Sequence, residues 1–421
     1  REFYEGLLMD CSGGGVCVDV HAYPSTRNAK MLLQTLGSIA THTGGKVFYQ
    51  HDFIWNRDYM RIYEDLHRLL TSPLAFMCEA KLRTSTGVAV DKILAPFGGP
   101  RVLYDQTAFR IPRMDADMTI AFLCKHVQQL DSVKQVYVQF VCAYTPLQPM
   151  ESGRSPDGSH ESSPPRRYLR VHTLSMPVTF SLSSLFRFAE CASTSSAGQL
   201  ILPDSLKLLP VYIMSLFKHA AFRSSEVRED ERIWHLIRFM GLPVHAYPGL
   251  LYPRVFPIHR SYLEKAREKK MLQRAGLPTG VADNVYLPDS LAATGVKISS
   301  DGVFLCDVGT ALFLYVGQHV KPEYLAALFG EGAVVNEENA PFLQLRTDDD
   351  SAGSIVSRIV GQIRKDKATL PYLPLRVVNA NSLDETRLLT HLVEDAIAGE
   401  GCYVDFLCGL HKMVHSKLDE S

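Results

Sequence analysis

The sequence lacks the features that mark several large classes of protein. Its nine cysteines are scattered, odd in number and never spaced as Cys-x-x-Cys, which argues for reduced thiols rather than a disulfide framework or a zinc site. No apolar run approaches the ~20 residues of a membrane-spanning helix. The formal net charge is −1, so the composition encodes no overall attraction to nucleic acid or to a membrane surface.

Signatures of catalysis and metal binding are also missing. The chain contains no GxSxG, HExxH or GxGxxG motif, which excludes the commonest hydrolase, metalloprotease and dinucleotide-binding patterns. Asp307 follows a strand-like run, but one carboxylate is not a calcium site, because calcium takes six or more oxygen ligands. The sequence therefore predicts no enzyme active site and no cofactor or metal in this chain.

The composition that remains is that of an ordinary globular protein. Hydrophobic residues make up 46% and charged residues 21% of the chain, which is close to the average for folded domains. A length of 421 residues predicts two to four domains. Because the chain begins with Arg1 rather than methionine, we expect it to be a fragment of a longer protein.

The first 73 residues have the pattern of an α/β unit. Strand-like runs at 16–22 and 46–50 flank a helical segment at 29–40, which predicts a right-handed parallel crossover. A following helix is predicted to bury a face of Tyr59, Ile62, Leu66 and Leu69. The glycine-rich segment 10–14 is predicted to be a turn.

Residues 74–177 have the pattern of a β-sandwich or barrel. The segment 146–165 is rich in Ser, Pro, Gly and charge, and we expect a disordered loop there, because it cannot bury enough apolar surface to offset its ordering entropy. Strands are predicted at 76–83, 101–104, 118–124, 134–145 and 167–174.

The rest of the chain is predicted to be helical and then mixed α/β. A helix with Leu209, Ile213 and Phe217 on its buried face is predicted after residue 205. Farther on, two apolar runs at 302–307 and 312–317 flank a short turn, which predicts a buried β-hairpin. Ser382 and Glu385 form a capping box that begins a helix, and a last helix follows Gly401.

One cationic feature is a candidate binding site. Lys81 and Arg83 lie two residues apart in a predicted strand, so both side chains project from the same face of the sheet. The alternative is an ordinary solvated strand face.

A family resemblance is carried by short segments at 3–4, 10–11, 44–45, 47–49, 75–87, 170–174, 206–210, 252–259, 391–395 and 403–407. Taken in this order along the chain, they resemble the Sec24 family, the cargo-adaptor subunits of the inner COPII vesicle coat. The resemblance implies a multidomain α+β protein. Its parts are the end of a von Willebrand A-like α/β trunk (1–73), a β-sandwich or barrel (74–177), an α-helical domain (178–284), a gelsolin-like α/β domain (285–381) and C-terminal helices that pack on the helical domain (382–421).

The resemblance also implies a non-enzymatic function. Members of the family pair with the related Sec23 subunit and a Sar-type GTPase on endoplasmic reticulum membranes, make peripheral membrane contact, and read sorting signals on the cytosolic tails of membrane cargo and SNAREs. It implies a cytoplasmic protein at endoplasmic reticulum exit sites and on COPII vesicles, with a zinc finger upstream of Arg1.

A cargo-signal site is implied at Lys81, Arg83 and Cys142, where the family has two arginines and a leucine. Two other functions stay open. One is that of the GTPase-activating Sec23 subunit, and the other is that of an actin-binding gelsolin relative.

Overall fold

The computed structural model describes most of the chain in two compact units. The first unit comprises Arg1–Phe53, Leu69–Ser205 and Val227–Val244, and the second comprises Ile54–Arg68, Leu206–Glu226 and His245–Ser421. The described residues are 2–26, 28–95, 101–102, 107–130, 135–147, 166–179, 181, 207–223, 226–258, 287–348, 351–367, 371–397 and 399–419. The predicted loop at 146–165 lies almost wholly outside them, and the predicted domain boundaries stay predictions.

The helices and strands of the described residues are numbered in chain order. The first half contains α1 (Glu2–Gly14), β1 (Val20–Ala22), α2 (Leu33–Thr43), β2 (Val47–Tyr49), α3 (Trp55–Thr71), β3 (Leu74–Thr84), β4 (Val88–Leu94), β5 (Arg101–Val102), β6 (Ala108–Asp115), β7 (Ala121–His126), β8 (Gln135–Pro146) and β9 (Tyr168–Pro177). The second half contains α4 (Leu209–Lys218), α5 (Glu229–Gly241), α6 (Tyr247–Leu251), β10 (Arg254–Pro257), β11 (Val303–Asp307), β12 (Leu312–Val316), α7 (Pro322–Phe329), α8 (Ala352–Asp366), β13 (Leu375–Asn379), α9 (Leu383–Leu389) and α10 (Tyr403–Asp419).

The α/β part of the first unit contains the predicted crossover. Strands β1 and β2 pair in parallel and are joined by α2, so the predicted strand–helix–strand order and parallel pairing are confirmed. The predicted turn at 10–14 is wrong, because α1 continues through Gly14. The turn comes one residue later, where Gly15 has a φ of 67°, a backbone conformation that glycine adopts without steric cost.

Helix α5 also belongs to the first unit, and its Asp230 caps the first turn of α2. The Asp230 carboxylate accepts hydrogen bonds from the backbone N–H groups of Met31 (2.6 Å) and Leu33 (2.7 Å). These donors lie at a helix start, where backbone N–H groups have no partner within the helix. The Trp234 indole donates to the Val47 carbonyl at 3.3 Å, so α5 is fixed to both α2 and β2.

The β-sandwich has a five-stranded antiparallel sheet in the order β5-β6-β3-β8-β9 and a two-stranded sheet of β4 and β7. The ring centroid of Phe122 in β7 lies 6.0 Å from that of Phe109 in β6 and 6.0 Å from that of Phe140 in β8. Both distances are within the range of favourable aromatic pairs.

The sequence prediction missed β4 and β6. Pro112 interrupts the apolar alternation of β6, and adjacent Asp91 and Lys92 interrupt that of β4.

Helix α3 turns its charged residues inward, contrary to the prediction. Within the second unit Asp58, Arg61 and Asp65 are buried, whereas Tyr59 and Leu66 of the predicted buried face are exposed. The inward charges have partners, because Asp65 accepts a hydrogen bond from the Tyr372 backbone at 2.6 Å and pairs with Arg61 at 3.5 Å. Buried charges are tolerated when they are paired and hydrogen-bonded, which explains the inversion.

The centre of the second unit is a four-stranded sheet in the order β10-β11-β12-β13. Its first three strands are antiparallel, and β13 pairs with β12 in parallel. Every residue of β11 and β12 is buried, because α7 and α8 pack on one face and α9 on the other. The predicted hairpin is therefore confirmed. The predicted helix start at Ser382 is confirmed, since the Ser382 hydroxyl accepts from the Glu385 backbone N–H at 3.1 Å. The reciprocal bond of a capping box is shifted by one residue, because the Glu385 carboxylate accepts from the Asn381 backbone N–H.

Helix α4 buries a different face from the predicted one. Leu209, Ile213 and Phe217 are exposed, whereas Lys218 is only 2% exposed. The Lys218 ammonium donates to three backbone carbonyls of the segment 393–401, namely those of Val393 (3.0 Å), Asp395 (2.6 Å) and Gly401 (2.7 Å). A buried ammonium with three acceptors is satisfied, so Lys218 faces inward together with Val211 and Met214.

The segment 393–395 connects three parts of the second unit. Besides the two carbonyls held by Lys218, the Glu394 carboxylate accepts a hydrogen bond from the Tyr252 hydroxyl. The Asp395 carboxylate accepts from the Thr294 hydroxyl (2.5 Å) and from the Gly295 backbone (2.7 Å). We call these three residues the junction segment.

Candidate functional site

Strand β3 presents Lys81 and Arg83 on the outer face of the five-stranded sheet. The two residues flank buried Leu82, and buried Ala80 precedes them, so the strand alternates between a core face and an outer face. Glu79 lies on the outer face as well. The structure therefore brings together the two cations that the sequence predicts.

The third predicted site residue, Cys142, lies on the opposite face of the sheet. Its Cα is paired with that of Ala80, and its side chain is 3% exposed in the sandwich core. Lys81 is paired instead with Val141. Because a shift of one residue moves a side chain to the other face, Cys142 does not join Lys81 and Arg83, and the predicted grouping of the three is corrected here.

Val141 is the apolar neighbour that the sequence reasoning missed. It lies opposite Lys81 on one side and opposite Val171 of β9 on the other, and Val171 is exposed. Side chains that are directly opposite on neighbouring strands have Cβ atoms about 5 Å apart. The outer face thus carries a row of Lys81, Val141 and Val171, in which a cation is followed by two apolar side chains.

Two more arginines are partners of Glu79 on the outer face. Arg110 of β6 is paired with Glu79 in the strand register, and its Nε lies 3.7 Å from Glu79 Oε1. Arg167 Nη2 donates to Glu79 Oε2 at 2.9 Å. We call Lys81, Arg83, Arg110 and Arg167 the cationic face; Glu79 is the acidic residue that Arg110 and Arg167 contact.

Cys142 lines a separate cleft on the inner side of the sandwich. The cleft has a volume of about 630 Å³, with Ile111, Phe122 and Phe140 on its walls and Arg170 and His172 of β9 also lining it. Burial raises the pKa of the Cys142 thiol, although Arg167 opposes the shift. The thiol is therefore protonated at neutral pH and is not a nucleophile.

Asp307, the carboxylate that the sequence analysis weighed as a calcium ligand, is occupied by internal cations. It is completely buried, and Lys367 Nζ lies 2.8 Å from each of its oxygens. Arg254 Nη2 donates to Oδ2 at 2.7 Å, and the Gly309 backbone donates to Oδ1 at 3.0 Å. Both carboxylate oxygens of Asp307 thus already accept hydrogen bonds from donors within the protein.

Two negative findings concern only the residues that the structure describes. Within those ranges, no three or more His, Cys, Asp or Glu side chains are grouped so that they could hold a metal ion. In the same part of the chain, no helix combines the length and apolar character needed to cross a bilayer.

Comparison with known proteins agrees with this architecture. Residues 75–150 match the model of the Sec23/Sec24 beta-sandwich domain, and residues 166–247 match that of the Sec23/Sec24 helical domain. The chain is 26% identical to human Sec24C over 460 residues, which covers 99% of the chain and 38% of the relative. The chain is a homologue of the Sec24 proteins.

Other Sec24 proteins give the same result. Human Sec24D is 25% identical over 98% of the chain, and SEC24 B of Arabidopsis thaliana is 25% identical over 96% of it. The crystal structure of the human COPII-coat protein Sec24c has the same fold, with a TM-score of 0.77 and 24% identity over 99% of the chain and 55% of that structure. The chain spans 37–40% of the length of these three curated Sec24 relatives.

Proposed function

We propose that this chain is the later portion of a cargo-selecting subunit of the COPII coat, without enzymatic activity. The observation that carries the proposal is the similarity to Sec24 proteins over 99% of the chain, together with an outer sheet face that presents four cations. The partners in this proposal are a Sec23 subunit, a Sar-type GTPase and the cytosolic tails of membrane cargo and SNAREs. Its place of action is the cytoplasmic side of the endoplasmic reticulum, with peripheral membrane contact.

The proposed cargo-signal site is the cationic face around Lys81 and Arg83. Carboxylates of an acidic signal pair with these two side chains, and an apolar side chain of the same signal lies on Val141 and Val171. Lys81 supplies a compact positive charge, whereas a guanidinium at that position binds a carboxylate with two parallel hydrogen bonds. The site therefore attracts acidic signals through charge and depends on Arg83 for directional contacts.

Two other functions are less well supported. The relatives named above are Sec24 rather than Sec23 proteins, which disfavours a GTPase-activating subunit. An actin-binding gelsolin relative is disfavoured because a β-sandwich precedes the hairpin domain, and because Lys367 and Arg254 already neutralise Asp307.

Reversal of both predicted cations is expected to abolish binding of acidic peptides. The variant Lys81→Glu/Arg83→Glu replaces two positive side chains by two negative ones, which repel the carboxylates of a synthetic acidic cargo-tail peptide. We expect its affinity to fall at least tenfold, as measured by fluorescence anisotropy at low and at physiological ionic strength. Wild-type binding should weaken as salt rises, because salt screens exposed charges.

The control for this experiment is a reversal of the same charge elsewhere on the sandwich. Lys92 and Lys125 are exposed on the two-stranded sheet, and Lys92→Glu/Lys125→Glu changes the net charge by the same amount. Its affinity for the peptide should stay within about twofold of the wild type. If the folded Lys81→Glu/Arg83→Glu variant binds as tightly as this control, the cationic face is not the site.

The identity of the protein partner separates the three functions. We expect the immobilised chain to retain a purified Sec23 subunit and not to retain filamentous actin in a pull-down. Retention of actin, or failure to retain Sec23 under conditions in which human Sec24C retains it, would overturn the assignment to the coat.

A further inference from the structure

We propose that Arg376 is the centre of a binding site for a phosphate group in the second unit. Arg376 belongs to β13, which is an edge strand of the four-stranded sheet. The site lies beside this edge, near residues of α3 and α9. It belongs to a different unit from the cationic face, and the inference does not depend on the proposed function.

Helix α3 is held beside the segment that leads into β13. Its Asp65 carboxylate accepts a hydrogen bond from the Tyr372 backbone N–H at 2.6 Å. One turn later, Arg68 Nη1 donates to the Lys367 carbonyl at 3.4 Å, and the Arg68 guanidinium lies 5.7 Å from the centre of the Tyr372 ring. These contacts bring the charged face of α3 toward the edge of the sheet.

Arg376 projects from the face of the sheet on which α9 packs. Val378 lies two residues later in β13 and packs with apolar residues of α9, and residues two apart share one face of a strand. The Arg376 guanidinium is also close enough to Arg57, Asp58 and Asp384 for their charges to act on it. The side chain therefore lies in a corner formed by β13, α3 and α9.

The carboxylates of this corner are already paired with other arginines. Three ion pairs use them, with N–O distances of 2.6, 3.5 and 2.7 Å in the order Arg57–Asp58, Arg61–Asp65 and Arg387–Asp384. Arg376 has no ion pair with any residue that the structure describes, and its Nε is buried without a hydrogen bond. Counted together, the guanidinium groups of these side chains exceed the carboxylates by one.

A guanidinium in such a place needs an anion. Burial, together with the positive charges of Arg57 and Arg61, lowers the pKa of Arg376 and outweighs the attraction of the nearby carboxylates. A charge that is removed from water without a partner is unfavourable. Because Arg376 is partly exposed, an anion from solvent can reach it.

A phosphate group matches the chemistry of this corner. Its oxygens can accept two parallel hydrogen bonds from the planar fork of a guanidinium. It carries about −1.5 to −2 charges near pH 7, so one group can offset the excess cation and still attract Arg57 and Arg61. The ligand class is therefore inorganic phosphate or a small phosphate monoester.

Thermal unfolding of the whole chain in sodium phosphate tests the site. At ten times its dissociation constant, a ligand that binds only the folded state lowers the unfolding equilibrium constant about elevenfold. We therefore expect phosphate to raise the Tm of the second unit by about 3–6 °C at constant ionic strength. Isothermal titration calorimetry with inorganic phosphate measures the dissociation constant directly.

Two matched variants make the result specific. Arg376→Met removes the guanidinium but keeps an unbranched side chain, and we expect it to lose the phosphate effect. In phosphate-free buffer its Tm should equal or exceed that of the wild type, because the unpaired charge is gone. The control Arg346→Met removes an arginine of the same unit that already donates to Asp348 at 2.7 Å, and it should keep the full effect of phosphate.

The comparison with Arg376→Met also removes a general effect of the salt. Phosphate stabilises folded proteins by being excluded from their surface, and this contribution is common to all three proteins. Glycerol 3-phosphate distinguishes the two sources of the ligand. Stabilisation by both compounds identifies an esterified phosphate as a ligand, and stabilisation by inorganic phosphate alone identifies the free ion; either result supports the site.

Two results would overturn the inference. In the first, phosphate raises the Tm of the wild type by no more than that of Arg376→Met, so no anion binds at Arg376. In the second, Arg376→Met is less stable than the wild type in phosphate-free buffer, which means that the guanidinium already has a partner within the chain.

Discussion

Substitution of Lys218 by methionine is expected to destabilise the second unit by about 3–5 kcal/mol. Methionine keeps most of the length of the side chain but donates no hydrogen bond, so the carbonyls of Val393, Asp395 and Gly401 lose the donor that they share. A buried polar group left without a partner costs about 1–3 kcal/mol, and three acceptors are affected. The measurement is hydrogen–deuterium exchange of the amides in 393–401, which report local opening.

A matched substitution controls for the loss of a lysine. Lys412 is exposed on α10, the helix that follows the segment held by Lys218, and Lys412→Met should change stability by no more than about 0.5 kcal/mol. Protection of 393–401 that is equal in both variants would show that the Lys218 ammonium does not hold this segment.

Substitution of Asp307 by asparagine is the second change with a large expected effect. It leaves the ammonium of Lys367, whose side chain is 15% exposed, and the partly exposed guanidinium of Arg254 without the buried carboxylate that they share. Removal of one partner of a buried ion pair typically costs 3–5 kcal/mol, and we expect a loss of this size for the sheet of β10–β13. Thermal unfolding followed by exchange of β11 and β12 amides measures it, with Asp289→Asn, an exposed position, as the near-neutral control.

The same carboxylate gives the second unit a dependence on pH. Burial raises the pKa of Asp307, but the nearby Lys367 and Arg254 outweigh burial and lower its pKa overall. A carboxyl whose pKa is lowered on folding contributes stability that is complete above its unfolded pKa of about 3.9 and is lost as pH falls through the folded value. The wild type should therefore lose stability below about pH 4, and Asp307→Asn should lack this part of the acid dependence.

The sequence predicts best where apolar content alone decides the structure. The hairpin of β11 and β12 is such a case, because strands buried on both faces are continuous apolar runs. The crossover from β1 to β2 and the helix start at Ser382 depend on local patterns that tertiary contacts reinforce. These elements were predictable because local and global preferences agree.

The prediction fails where distant polar partners decide which face is buried. Lys218 lies inward because carbonyls about 175–183 residues later in the chain accept its hydrogen bonds. Asp65 of α3 is paired with the backbone of Tyr372, 307 residues away. An apolar stripe counted along one helix contains no information about such partners, so the faces of α3 and α4 were assigned wrongly.

Of the candidate site, the pair Lys81 and Arg83 could be predicted from the sequence, whereas the apolar neighbour could not. The alternation of β3 places Lys81 and Arg83 together whatever the neighbouring strands do. The choice between Val141 and Cys142 depends on the register of β8 against β3, which the sequence does not fix. The pairing of Glu79 with Arg110 and Arg167 needs that register and a third strand as well, although Glu79 could have been found from its even spacing with Lys81.

The junction segment has a consequence for synthesis of the protein. Its residues 393–395 are contacted by Lys218, Tyr252 and Thr294, all of which leave the ribosome at least about 100 residues earlier. Contacts over long sequence separations form late, because the loop between them must close first. The second unit can therefore reach its final form only after residues 393–395 have been synthesised, and α3 lacks its partner Tyr372 until that residue has been added as well.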